Sequence, residues 1–453
     1  MNGTVKRIIA AGIIAAALVL DARAELRAGA AKVGIVPPFP TYMGGFGDRK
    51  DFFEGVHDEV YARALALDNG ETQLIVIGSD MMAIREGMVA AAREVIHETT
   101  GVPRSHILLS CVHNHSAPSY YQFENEDDKA KPERFFATQF AKAGIEAFES
   151  MRPAELGYRN GEIRGVTRNR QQGNETVIDP QVGVLRVEEK EGRDVIATLF
   201  NFTGHPVILG SGNLRLSGEY PGAACRAVEQ VLGGVAIMTQ GACGDITVHR
   251  SGNPFLEIQR LGRLVAGEVI KTSEFIRPGD ENIALGAAYE EISFKPKTLP
   301  TIQRAQEQLD TEKELMADAE TAGAGAEVLR AHERRIRMLS ANLLQAISLR
   351  DGALKRPREY VASVQVMQIG DVILVGIPGE LFVEYALEMR QRVAQSLGKS
   401  LCLVAYANGY VGYIVTPRAM ETGGYEASVA RIDASAGRVM TERAMALAGK
   451  IVR

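Results

Sequence analysis

Short apolar runs of four to nine residues, each stopped by a glycine-rich or polar turn, recur along this chain. Leu74 to Gly78, Ile107 to Cys111, Val195 to Phe200, Val235 to Met238, Val361 to Ile369, Val372 to Val375 and Leu401 to Ala405 are examples. Runs this short and this rich in Val, Ile and Leu read as strands buried in sheets rather than as helices. Helical stretches lie between them, so the fold class is α/β (mixed α+β), with layered mixed β-sheets flanked by helices. Val182 to Val187 and Val195 to Phe202 flank Glu191-Gly192-Arg193-Asp194 and predict a hairpin, and a second hairpin should turn at Gly370-Asp371.

Between Thr301 and Leu349 the character changes to Gln, Glu, Lys, Arg and Ala, interrupted at Ala322-Gly323-Ala324-Gly325. Leu329, Ile336 and Leu343 recur every seven residues, and Met338, Leu339 and Ile347 widen the stripe, which predicts two antiparallel helices packed on the main domain.

With 453 residues, 46% apolar and 24% charged, the chain has the length for a large core. Disordered and collagen-like readings drop out. A formal net charge of -5 supplies no global basic field, so no nucleic-acid partner is expected. The four cysteines, Cys111, Cys225, Cys243 and Cys402, show no CxxC spacing, and their pairing is not readable from sequence.

The first 24 residues are laid out as an export signal. Lys6 and Arg7 precede a 13-residue run from Ile8 to Leu20, and Ala22-Arg23-Ala24 offers a cleavage site after Ala24. That run is short for spanning about 30 Å of hydrocarbon. A secreted or periplasmic protein running from residue 25 to 453 as a single domain is the expectation.

Chemistry concentrates where strands end. Ile107 to Cys111 runs into Val112-His113-Asn114-His115, an i, i+2 pair that an extended backbone places on one face. Neutral imidazole is the commonest metal ligand. An isolated HxH pair is as well explained by surface polarity or by core histidines, so further ligands are needed. His205 follows the strand ending at Phe202, and Glu380 follows a Pro378-Gly379 turn ahead of a helical run from Leu381 onward. Tyr410 and Tyr413 sit in a glycine-containing loop, with Gly423-Gly424-Tyr425 beyond. Each has a plain explanation taken singly; together they collect functional groups at strand ends, as α/β active sites do.

In order and spacing the residues resemble the neutral/alkaline ceramidases, zinc-dependent amidases that cleave the amide of N-acylsphingosine. The likeness runs through Met43-Gly44-Gly45-Phe46-Gly47, Gly55-Val56-His57, Cys111 to Pro118 against the family's THTHSGP, and Arg168-Asn169-Arg170 against NRS. It continues through Asn201 to Pro206, Gly244-Asp245-Ile246-Thr247 against GDVSP, Ile377 to Glu380 against PGE, and Tyr413 with Tyr425 twelve residues later. The resemblance implies Zn2+ held by His113, His205, Glu380 and Tyr413. It also implies that His115 lines the site without ligating, that Tyr425 and Arg170 face the scissile amide or its neighbouring hydroxyls, and that Thr247 keeps a hydroxyl where the family has serine.

With such a site, bound water of pKa about 7 could attack an amide carbonyl. Tyr425 and the zinc would stabilise the oxyanion, and His115 would carry the proton to the leaving amine. Asp245 either orients a histidine or simply makes a Gly-Asp turn. The implied partner is a small-molecule or lipid-like N-acyl substrate, and peripheral contact with a membrane surface is compatible with it. A small N-acylated amine, amino acid, amino sugar or ester is the second reading, and a non-catalytic binding protein the third.

Departures from the family pattern are Asn114 and Ala117 beside the histidines, Val248-His249 after Thr247, and the 301–349 hairpin. Only 28 residues follow Tyr425, with no run of alternating strands for the C-terminal immunoglobulin-like β-sandwich that characterised ceramidases carry. A deep apolar slot beside the metal would point to acyl-chain recognition, a polar cleft to a small soluble amide. The oligomeric state is not readable from the sequence.

Overall fold

A computed structural model describes residues 25–120, 126–171, 173–279, 283–353 and 355–452. The proposed export signal at 1–24 lies outside them. Among the described residues no helix is long and apolar enough to cross a membrane.

Two mixed sheets form the centre. The larger has eight strands, ordered Val235–Gln240, Val195–Phe202, Gln181–Glu189, Arg152–Glu162, Arg27–Gly34, Tyr61–Asp68, Gln73–Ser79 and Ile107–Cys111. The smaller has four, ordered Leu285–Phe294, Tyr360–Ile369, Val372–Gly376 and Ser400–Val404. Most neighbours are antiparallel. Three pairs are parallel: Gln73–Ser79 with Ile107–Cys111, Val195–Phe202 with Val235–Gln240, and Val372–Gly376 with Ser400–Val404.

Alternate residues of one strand enter different cores, which is why the strands read as continuous apolar runs rather than alternating ones. Leu74 and Val76 pack between the sheets with Leu108, Met367, Ile369, Val372, Leu374 and Val404. Ile75, Ile77, Ile107 and Leu109 point the other way, into a core shared with the Glu86–Thr100 and Glu126–Glu149 helices. Val364, Val366, Ile373, Val375, Leu401 and Leu403 do the same on the second sheet, against the Val383–Leu397 and Ala436–Ile451 helices. A third core holds the Glu219–Leu232 and Pro254–Glu274 helices on the strands around Val184, Phe200 and Met238. The layering is therefore helix, sheet, sheet, helix, without a barrel.

Both hairpins form as the sequence predicts. Gln181–Glu189 pairs antiparallel with Val195–Phe202, and Tyr360–Ile369 with Val372–Gly376, where Gly370 turns at φ 57°. The polar stretch from Thr301 makes helices Ile302–Thr321 and Ala326–Arg350, the first capped by the Thr301 hydroxyl accepting from the Arg304 N–H. The second helix packs on the short helix Tyr425–Val429. All four cysteines are free and buried.

Candidate metal centre

Three parallel strand pairs end on the same side, and their carboxyl-terminal loops meet, the usual place for a site in an open α/β sheet. Ile107–Cys111 delivers His113 and His115, Val195–Phe202 delivers His205, and Val372–Gly376 delivers Glu380. His113 turns off its strand at φ 63°, a left-handed conformation that costs a histidine on the order of 1 kcal/mol or more and swings its ring inward.

The imidazoles converge through their Nε2 atoms. His115 Nε2 lies 3.2 Å from His113 Nε2 and 3.3 Å from His205 Nε2, and Glu380 Oε2 lies 3.4 Å from His113 Nε2. Zinc bonds to nitrogen of about 2.0–2.1 Å at tetrahedral angles set donors about 3.3 Å apart, so the spacing fits one ion held between them. The chemistry agrees. Glu380 Oε2 is buried with no hydrogen-bond partner among the described residues, an orphan that a cation would satisfy. The three histidines form a group able to hold a metal ion.

Backbone carbonyls divide the histidines. His113 Nδ1 donates to the Met82 carbonyl at 2.8 Å and His205 Nδ1 to the Cys243 carbonyl at 3.2 Å, which leaves each Nε2 lone pair facing the centre. His115 Nδ1 is buried and has no such partner among the described residues. Burial, reinforced by His113 and nearby arginines, pulls the His115 pKa well below its ordinary value. The same burial and the same neighbour lower His205, so both rings stay neutral near pH 7. Gly45 backs onto His115: a Cβ there would stand 2.2 Å from His115 Nδ1, and its φ is 99°.

Glu380 and Tyr413 face each other across a parallel bridge between the two-residue strands Glu380–Leu381 and Tyr413–Ile414. The expected helix after Glu380 starts only at Val383, so the carboxylate belongs to this small sheet and not to a first helical turn. Burial raises the Glu380 pKa, but the neighbouring His113 and the tyrosine hydroxyls beside it, Tyr410 foremost, outweigh it and hold the carboxyl below its ordinary value. Tyr413 lies beside both Glu380 and Arg170; burial and Glu380 push its phenol well up, while Arg170 pulls it back.

Arg170 and Tyr425 lie on the open side. Arg170 Nη2 pairs with Glu426 Oε1 at 2.9 Å and also donates to the Gly244 carbonyl. The Tyr425 ring is 63% exposed and meets Tyr413 edge-on at 5.9 Å. Thr247 is buried and makes a backbone bridge with His205, so its strand braces that histidine. Asp245 touches no histidine. Its carboxylate accepts from Val383 N–H at 2.9 Å and Asn169 Nδ2 at 2.7 Å, and burial pushes its pKa up to about 7. It ties the Arg170 strand to the helix behind Glu380, because a buried carboxylate needs all its donors.

Two contributors lack a sequence signal of their own. Tyr406 stacks on His113 with ring centroids 4.2 Å apart, and Tyr410 lies 6.3 Å from His113 and 6.4 Å from Tyr406. Tyr410 OH donates to Glu380 Oε1 at 2.5 Å. The Gly409-Tyr410-Val411-Gly412-Tyr413 pattern marked the loop but not this contact. The pocket over the centre holds about 350 Å³ and mixes Phe46 and Met82 with Arg49, Lys50, Arg431 and tyrosines. It is neither an apolar slot nor a fully polar cleft.

No family model matches the chain. The neutral ceramidase of Mycobacterium tuberculosis is 21% identical over 449 residues, covering 83% of this chain and 69% of that protein. Neutral ceramidase B of Dictyostelium discoideum is 21% identical over 478 residues, covering 84% and 66%. The chain thus spans about two thirds of the length of each relative. Among solved structures, the neutral ceramidase of Pseudomonas aeruginosa superposes with a TM-score of 0.74 at 19% identity over 94% of this chain and 74% of that one. A ceramidase complexed with C2 gives 0.72 at 17%, over 94% and 75%. The chain is thus similar to two curated neutral ceramidases along most of its sequence and shares the fold of the solved neutral ceramidase.

Proposed function

We propose that the protein is an exported zinc-dependent amidase that hydrolyses the N-acyl bond of a ceramide or related lipid-like amide. The observation that carries this reading is the approach of His113 Nε2 to an orphaned Glu380 Oε2 at 3.4 Å, a spacing that suits one zinc ion, with a His205 ring nitrogen within 4.8 Å of the His113 one, beneath an open pocket. His113, His205, Glu380 and Tyr413 would hold the ion, which supplies a Lewis acid and a bound water of pKa about 7.

The remaining groups position and move protons. Met82 and Cys243 carbonyls fix the tautomers of His113 and His205. His115, neutral and with Nδ1 unbonded, takes a proton at Nε2 and returns it to the leaving amine. Tyr425, at the pocket mouth, donates its phenol hydrogen to the oxygen on which charge develops. Arg170, locked by Glu426 and the Gly244 carbonyl, places its positive charge beside Tyr413.

The test is a panel of N-acyl substrates of varied chain length and head group, given to the purified full chain with and without a chelator. Chelator-sensitive release of fatty acid from at least one amide is the expected result. If zinc is bound and no amide in the panel is cleaved, the amidase reading is wrong. Export is tested by mass spectrometry of the mature N-terminus, which should be Glu25.

A further inference from the structure

A second cavity of about 840 Å³ opens beside the metal pocket and shares Tyr425 and Val429 with it. One wall is the Ala326–Arg350 helix, through His332, Arg335, Arg337 and Met338; the other is the Tyr425–Val429 segment with Arg170 and Gln171. The two cavities adjoin at Tyr425 and Val429.

Its polar groups come in matched sets. Glu312 accepts from His332 Nδ1 at 2.7 Å and pairs with Arg335 Nε at 3.1 Å. Glu426 pairs with Arg170 and accepts from Gln171 Nε2 at 2.9 Å. Both carboxylates are answered within the wall, by Arg170 and Arg335, while Arg337 pairs with Glu333 outside the lining, so the chamber presents mostly paired donors and acceptors with one guanidinium in excess. An alkyl chain there would strip water from these pairs and return no hydrogen bond. An anion at Arg170 or Arg335 would meet a carboxylate beside the guanidinium. A hydroxyl both donates and accepts, so it can bridge such pairs without adding charge. The exposed Tyr425 ring at the junction adds a flat face for a ring to lie on.

We infer that the chamber is a subsite for a neutral, hydroxyl-rich, sugar-like group on the N-acyl substrate, and that the helical hairpin selects it. The inference rests on the amide hydrolysis proposed above for the reaction itself, but not for binding. The hairpin also holds the shared wall in place. Gln345 Nε2 donates to the Ser428 carbonyl at 3.1 Å, and Lys297 Nζ donates to the Ala427 and Ser428 carbonyls, each at 2.9 Å.

Binding is read first, by calorimetry on the full chain with octyl hexoside, octyl phosphate and octanol below their micelle concentrations. The hexoside should bind tightest, and Arg335→Leu or Arg337→Leu should weaken it about tenfold, the value of one or two hydrogen bonds. Turnover then compares N-acyl sphingoids with an unsubstituted, hexosyl or phosphate head, and a free N-acyl amino sugar. Preference for the hexosyl lipid assigns the group to a glycolipid, and preference for the free amino sugar to a soluble substrate; either supports the subsite. Tighter binding of octanol or octyl phosphate, or a preference for the unsubstituted or phosphate-headed lipid, overturns it. Hexoside binding without cleavage of any amide would sink the amidase reading and leave the subsite standing.

Discussion

Replacing Tyr410 with phenylalanine removes one hydroxyl and leaves a ring. That ring stands 6.3 Å from His113 and 6.4 Å from Tyr406, so Tyr410→Phe opens no large cavity and should not disturb the histidine. What is lost is the 2.5 Å hydrogen bond to Glu380 Oε1. A hydrogen bond to a charged group contributes about 1.5–3 kcal/mol. Loss of a group that orients a metal ligand typically weakens metal binding about 10- to 100-fold, or about 1.4–2.8 kcal/mol at 1.4 kcal/mol per tenfold. The two routes meet near 2 kcal/mol, so zinc affinity should fall about 30-fold. Competition against a chromophoric chelator at neutral pH measures it. Tyr406→Phe is the control, because that hydroxyl lies 3.1 Å from Cys243 Sγ instead of on the carboxylate, and its loss should move affinity by no more than about threefold. Equal zinc affinity in wild type and Tyr410→Phe would refute the view that Tyr410 orients Glu380.

Gly45→Ala should cut kcat about a hundredfold with zinc retained, since its Cβ would fall 2.2 Å from His115 Nδ1 and displace the ring by roughly an ångström; metal content and turnover on one sample check both halves. Lys297→Met leaves the Ala427 and Ser428 carbonyls without their ammonium donor and loosens the segment bearing Tyr425, so kcat/KM should fall about tenfold in steady-state assays. Burial lowers the Lys297 pKa from 10.5 to about 8. The unfolded chain therefore holds that proton to higher pH than the folded one, and the fold gains stability as pH rises from about 8 to 10.5, by up to about 3 kcal/mol relative to Lys297→Met in urea melts.

How legible each element was in the sequence follows from where its side chains end up. Ile107 to Cys111, buried on both faces, announced itself as an unbroken apolar run, and Gly370 announced its turn because the backbone needs a positive φ there. Arg152–Glu162 and Leu285–Phe294 gave no such run, because much of each stays partly exposed and carries Arg, Glu, Asn or Tyr. Tyr61–Asp68 was masked differently: Arg63 is buried in it, at 2.8 Å from Asp80. In the site, residue types and their order along the chain exposed His113, His205, Glu380 and Tyr413 as candidates. Their contacts were another matter. The carbonyls of Met82 and Cys243 carry no residue-type signal, and the bridge between Glu380 and Tyr413 joins positions remote in sequence. Asp245 left two readings open, a histidine partner or a Gly-Asp turn, and neither shows that its oxygens accept from Val383 and Asn169, which are remote from it in sequence.

Zinc per chain and turnover, determined on the same preparations of wild type, His113→Ala and His115→Ala, separate ligand from proton carrier. His113, fixed by a carbonyl and facing Glu380, should be needed for zinc: the wild type should carry one ion per chain and cleave an N-acyl substrate, and His113→Ala should lose both. His115→Ala should keep the ion and lose turnover by about 100-fold or more. Zinc retained in His113→Ala, or lost in His115→Ala, would show that the ligand set is not the one described.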